Sequence, residues 1–289
     1  MDFIKQLLQE YNDNTRFEDH ANSQFTQNLV AYVKRYLQGH TDLRTIAEAA
    51  YKVMTTLPTA QDSITKQYKS NDIFGASQTT EYKKANEQYK QNIEATINYI
   101  TKSKKWDKFN TSNTGAWAHF VKEGNKPQSE KTFKWYGTIK DRSPDAIKLI
   151  AHILYDMDKL DFIYQVQLKV PGSYMSYLSH PDSIVIHFRG PEDKDKIAQI
   201  VQKYKKYFGD REKLGRLDYG VDDKSFRMDG EDRGDDNSDS MIVAKKFAQT
   251  VDRNREALKK IFDRENEKEL ATRLLSILLK ISKESSHRH

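Results

Sequence analysis

The stretch that decides the fold runs from Phe133 to Phe208, and its last strand-like run reads Asp182-Ser-Ile-Val-Ile-His-Phe-Arg189. Thr132 to Ile139 alternates and is rich in β-formers, which predicts a strand. Ser143-Pro144-Asp145 predicts a helix start, with serine as the cap and proline at the first helical position; Ile147, Leu149, Ile150, Ile153, Leu154 and Met157 follow at helical spacing. Phe162 to Val170 alternates again, and Pro171-Gly172 stops it. A turn from Tyr174 to Pro181 leads to Ile184–Phe188, short and β-branched enough for a buried strand. Gly190-Pro191-Glu192-Asp193 then opens a helix to Phe208 with Ile197, Ile200, Val201 and Tyr204 inward. Strand, helix, strand, strand, helix is buried most economically as a small sheet with helices packed on one face, an α+β fold.

On the N-terminal side the chain reads as helices through residue 109. Phe3, Ile4, Leu7, Leu8 and Tyr11 share one helical face, as do Phe25, Leu29, Val30, Val33, Tyr36 and Leu37, with Gly39 as the stop. Thr41 or Asp42 is placed to cap a helix carrying Leu43, Ile46, Ala50, Val53 and Met54 and ending before Pro58. A longer polar helix spans Thr79 to Lys104 with Tyr82, Tyr89, Ile93, Ile97 and Ile100 as its stripe. Tyrosines at this spacing pack against a core more often than they stack on bases. Between residues 110 and 130 the composition turns to Asn, Thr, Ser, Gly, Lys and Pro, a linker anchored by Trp117 and Phe120. The core would then occupy residues 131–289. It includes an aperiodic acidic loop at 209–240 and C-terminal helices between 241 and 283, Met241–Phe262 and Glu265–Lys283. The loop's aspartates are the one candidate for a hard cation, but their spacing is not that of an EF-hand and Lys224, Arg227 and Arg233 dilute them, so a solvated loop is the expectation and no metal or cofactor is assigned.

The 289 residues carry a formal charge of +6, with 31% charged residues of both signs, which is compatible with an anionic partner and also with ordinary solvated helix faces. Without cysteine there is no disulfide, thiolate metal site or cysteine nucleophile. The amphipathic start Met1-Asp-Phe-Ile-Lys-Gln-Leu-Leu-Gln-Glu10 is unlike a signal peptide, and no window approaches the roughly 18 apolar residues that span a bilayer. The expected compartment is a cytoplasm, that of the producing cell or of a host.

No phosphate-binding glycine loop, dinucleotide fingerprint, zinc-protease helix, nucleophile elbow or kinase catalytic loop is present. What stands out instead is a set of cationic and imidazole side chains on the three core strands. Lys134 and Tyr136 project from one face of the first, Lys169 closes the second, His180 precedes the third, and His187 and Arg189 share a face on it. Gathered together they would bind an anion and offer a base and an acid. Scattered, they are the ordinary decoration of an open sheet face.

Lys134-Trp-Tyr136, then a helix, then Phe162 to Lys169, then a turn ending in His180-Pro-Asp182-Ser-Ile-Val-Ile resembles the core of the HopA1-like type III effectors and the related lanthipeptide phosphothreonine/phosphoserine lyases, over residues 131–208. The resemblance implies β-elimination of phosphate, with Lys169 as the base, Tyr136 in the acid position, Lys134 as a phosphate contact and His180 where that family has arginine. The family's Ser-Phe-Gly-x-x-Arg motif has no counterpart; Ser240-Met-Ile-Val-Ala-Lys-Lys246 stands in that region. The residues themselves add Arg189 and His187 as phosphate-binding candidates. The expected partner is a protein or peptide, phosphorylated or otherwise anionic, and not a membrane. Two other classes stay open: a non-catalytic accessory or structural interaction protein of the phage type, and a nucleic-acid-binding module, which the acidic loop disfavours. Oligomeric state is not legible.

Overall fold

The computed structural model describes residues 20–102, 106–109, 117–125, 132–209, 226–227, 239–263 and 267–286. The first predicted helix and nearly all of the acidic loop lie outside these. The chain forms two compact units that cut across its linear order.

One unit gathers residues up to Gln61 with those from Asp239 onward. It holds helices α1 (Gln24–Leu37) and α2 (Leu43–Thr55) from the N-terminal side, and α9 (Asp239–Arg253), α10 (Arg255–Phe262) and α11 (Glu267–Ser286) from the C-terminal side. Capping fixes the starts of α1 and α2. The Ser23 hydroxyl accepts the Thr26 amide, and Asp42 accepts both the Thr45 amide and the Thr45 hydroxyl at 2.8 Å. Gly39 has φ +81°, the left-handed conformation that lets α1 stop where the sequence places its end. The stripes meet in one core of Leu29, Val33, Ile46, Val53, Phe247, Val251, Leu274 and Leu278, all essentially without exposure.

The second unit runs from Asp62 and contains the sheet. Short helices α3 (Ala60–Gln67), at the passage between the units, and α4 (Ile73–Gln78) precede the long α5 (Thr80–Lys102). Among the described residues the sheet has six strands: β1 (Trp106–Phe109), β2 (Trp117–Lys122), β3 (Thr132–Gly137), β4 (Val166–Pro171), β5 (Ile184–Arg189) and β6 (Phe226–Arg227), in the order β1-β2-β4-β5-β3-β6, every pair antiparallel. Helices α6 (Leu149–Asp158), α7 (Tyr174–Ser179) and α8 (Lys194–Tyr204) complete the unit.

Several local expectations change. Trp106–Phe109, within the region read as helical, is the strand β1, and the single helix expected over Met241–Phe262 is two, α9 and α10. Trp117–Lys122, read as part of the linker, is a strand between β1 and β4; Trp117, Ala118, His119, Phe120 alternate in burial as a half-covered strand should. The turn after Pro171-Gly172 contains the helix α7, capped by the Ser173 hydroxyl on the Ser176 amide. The Ser143 hydroxyl donates to Asp141 at 3.0 Å instead of capping, and the chain passes through a 3₁₀ turn at Ala146–Lys148 before α6 begins. Within the acidic loop, Phe226–Arg227 pairs with Lys134 and Trp135.

The register separates the faces of the sheet. Phe120, Leu168, Ile186 and Trp135 stand side by side across β2, β4, β5 and β3, each at most 1% exposed. They form the apolar face, where Lys122 reaches the end of α6: its ammonium donates to the carbonyls of Met157, Asp158 and Leu160 at 3.0, 3.0 and 2.7 Å. A cation on the last carbonyls of a helix offsets both their lost hydrogen bonds and the helix dipole, which is how a lysine tolerates 6% exposure.

Candidate functional site

On the other face, successive rows are polar. His119, Lys169, Val185 and Tyr136 lie opposite one another across β2, β4, β5 and β3; one row along come Val121, Gln167, His187 and Lys134. Residues two apart on a strand share a face, so both rows and Arg189, two beyond His187, are on the same side. His119, Tyr136, Lys134, Gln167, Lys169, His187 and Arg189 are all partly buried, whereas Val185 is buried outright. Strands β2 to β5 contain no aspartate or glutamate, so the charge written on this face by its four central strands is positive.

The loops at one end of the sheet complete the site. Trp117 opens β2 opposite Pro171, and the Lys169 ammonium lies 5.4 Å from the centre of its ring. His180, just after α7, packs edge-on against the same indole at 5.5 Å between centroids. Trp117 thus brings Lys169 and His180 to one place. The loop carrying His180 is held by a half-buried arginine: Arg142 donates to the Tyr177 carbonyl at 2.7 Å and to the Ser183 hydroxyl at 3.0 Å, with its guanidinium 5.4 Å from the centre of the Tyr177 ring. Below it Tyr89, Tyr174 and Tyr177 pack with centroids 5.4 to 6.3 Å apart, and their hydroxyls donate to the carbonyls of Pro171, Arg142 and Asp141. Burial raises the pKa of all three phenols well above the usual range, so they act as packing and hydrogen-bonding groups. The tyrosine stripe of α5 is spent here.

Of the six candidates from the sequence, Lys169, Tyr136 and His180 lie at this end, and Lys134 and His187 pair directly one row away. Tyr136 and Lys169 both stand opposite Val185, so their backbones are two strand spacings apart, about 10 Å. Arg189 is four residues from Val185 along β5, about 13 Å, too far to share an ion with Lys169 by itself. Sequence reasoning missed His119 because its strand was taken for linker; the alternation of Trp117, His119 and Val121 against Ala118 and Phe120 was the available signal.

His119 Nδ1 and the Gln167 side-chain amide are hydrogen-bonded, 2.7 Å apart. Its pKa is lowered by burial first and by the neighbouring Lys169 charge second. Among the described residues no group of three or more histidine or acidic side chains is placed to hold a metal ion, and no helix is long and apolar enough to cross a membrane.

No protein-family model matches the chain, and no curated protein matches it. A solved structure, that of the effector protein from Pseudomonas syringae pv. tomato strain DC3000, is weakly similar: 13% identity, covering 78% of this chain and 87% of that one, with a TM-score of 0.35.

Proposed function

We propose that the polar face binds a phosphorylated peptide and removes phosphate from phosphothreonine or phosphoserine by β-elimination. The observation that carries this reading is the row His119, Lys169, Val185, Tyr136, which sets an amine and a phenol on one half-buried strip, across four strands that themselves contribute no carboxylate, beside Lys134 and His187. In the reaction, Lys169 Nζ first releases its resting proton to solvent and then takes the Cα proton of the phosphorylated residue. The electron pair of that bond forms the Cα–Cβ double bond, the Cβ–O bond breaks, and phosphate leaves with a proton from Tyr136. Lys134 and His187 oppose the charge that builds on the leaving group, and their effect is enlarged by partial burial. The products are a dehydrated residue and inorganic phosphate, and the enzyme is left with Lys169 back in its resting ammonium form and Tyr136 ionised until solvent reprotonates the phenol.

The test is mass spectrometry of phosphothreonine and phosphoserine peptides incubated with the wild type and with Lys169→Ala. Loss of phosphoric acid with the wild type alone supports the reading. A folded wild type that leaves both peptides intact removes the lyase and keeps only the anion-binding face.

A further inference from the structure

Helix α6 lies on the apolar face of the sheet, where Lys122 meets its end, and α5 and α8 both pack against it. The outward side of these three helices is aromatic. Among the described residues four large hydrophobic side chains are exposed, and three of them are tyrosines here: Tyr99 on α5 at 47%, Tyr155 on α6 at 47%, and Tyr207, in the 3₁₀ turn after α8, at 44%. No described Leu, Ile, Val or Met is exposed in the same way. The Tyr99 and Tyr155 rings lie 6.1 Å apart. The partly buried Tyr204 ring lies 6.5 Å from that of Tyr207, and its hydroxyl reaches α6 by donating to the Asp156 carboxylate at 2.7 Å. Three of the rings carry a lysine: Lys159 Nζ is 3.8 Å from the centre of Tyr155, Lys206 Nζ 4.9 Å from that of Tyr207 and Lys203 Nζ 5.5 Å from that of Tyr204. Lys159 and Lys203 also neutralise Asp156. Lys205, Lys206 and Lys140, whose ammonium donates to the Lys206 carbonyl at 3.2 Å, have no carboxylate partner among the described residues.

We infer that this strip of tyrosines and lysines binds single-stranded nucleic acid. It lies on the helices that cover the apolar face, so it is a second site, independent of the polar face and of any elimination there. A nucleotide is one flat ring joined to one charge, and each tyrosine–lysine pair offers a surface for the ring within reach of a cation for the phosphate. Stacking on tyrosine needs no base identity, which suits a surface with few polar groups to read a base edge. An acidic protein is the rival occupant, and the composition argues against it. Protein interfaces are poor in lysine and bury an apolar centre, whereas every cation of this strip is a lysine and no aliphatic side chain is exposed beside the rings. Tyr82 and Tyr89, on the same helix as Tyr99, are buried and take no part. The acidic residues of 209–240 repel phosphate at long range, so the expected affinity is modest, a Kd of about 10 µM at low salt.

The experiment is fluorescence anisotropy of labelled oligouridine and oligothymidine, each of about 12 nucleotides, titrated with the full chain between about 50 and 200 mM salt, with polyglutamate as competitor. Binding to either oligonucleotide supports the inference, and a preference between them shows whether the ribose hydroxyl is touched. The logarithm of Kd should rise with that of salt at a slope of about 2 to 3, for three or four phosphates. Tyr155→Ala and Tyr207→Ala should each weaken binding about tenfold without changing that slope, and Tyr207→Phe should bind like the wild type. Replacing Lys205 and Lys206 together by glutamine should lower the slope by about 1 to 1.5. Thermal midpoints equal to that of the wild type show that these variants are folded. A folded wild type that binds neither oligonucleotide overturns the inference. So does binding that polyglutamate displaces as readily as an unlabelled oligonucleotide, or that both alanine variants retain in full, since charge alone would then account for it.

Discussion

Lys169 and Tyr136 flank the same residue, Val185, from opposite sides on one face of the sheet. If the pair works as base and acid, the two substitutions should fail differently. Lys169→Ala is expected to abolish dehydration of a phosphothreonine peptide, by at least about a thousandfold, because it removes the amine that takes the Cα proton. Tyr136→Phe removes only the leaving-group proton and should cost about a hundredfold. Single-turnover mass spectrometry separates the two. Equal activity in Lys169→Ala and wild type would refute the assignment.

The depressed pKa of His119 has a consequence for stability. The unfolded chain takes up a proton near the ordinary value of 6.5, while the folded ring still resists it. Stability contributed by the neutral ring is therefore intact above about pH 6.5 and is lost as pH falls toward and through the lowered folded value. Urea midpoints between pH 7.5 and 5 should fall more steeply for the wild type than for His119→Gln. Parallel curves would show that the ring is not held neutral.

Asp193 has no exposure, and its carboxylate accepts the backbone amides of Ile163, at 3.1 and 3.0 Å, and of Tyr164, at 3.0 Å, with Lys196 at 2.8 Å. It closes the segment that leads into β4. Asp193→Ala strands two part-buried amide donors and should cost about 3 kcal/mol of unfolding free energy, measured by urea denaturation. A loss under about 0.5 kcal/mol would mean that solvent replaces those bonds.

Gly137 ends β3 where a Cβ would come within 2.2 Å of the Trp135 ring and 2.8 Å of an Ile184 methyl. Both neighbours are buried and cannot retreat freely. Gly137→Ala is expected to destabilise by about 1 to 3 kcal/mol and to blue-shift or broaden the Trp135 fluorescence. A thermal midpoint equal to that of the wild type would contradict the close approach.

Periodicity made β3, β4, β5, α6 and α8 legible, because each buries one regular face. The same alternation put Lys134 and Tyr136 together, and His187 and Arg189 together. What it could not supply was strand order. Without β2 known to lie against β4, nothing in the sequence joined Trp117 and His119 to Lys169, and a stretch flanked by Asn, Ser and Gly concealed a strand whose apolar residues, Ala118, Phe120 and Val121, are few and interrupted. Short helices such as α4 and α7 escaped for a related reason: six residues show less than two helical turns of pattern. Arg142 was passed over because an isolated arginine before Ser143-Pro144 reads as solvated, and only the tyrosines folded around it show otherwise.

The core that joins α1 and α2 to α9 and α11 also sets an order of events during synthesis. The strands β2 to β5 and helices α5 to α8 are all synthesised before residue 214, and can close on one another as soon as they emerge. The first two helices can pack on each other but cannot complete their core: the rest of it begins at Asp239, so part of the apolar surface around Leu29, Val33, Ile46 and Val53 waits uncovered while the entire sheet unit is made. Of the two units, the one that starts first finishes last, and it is the one a chaperone would hold.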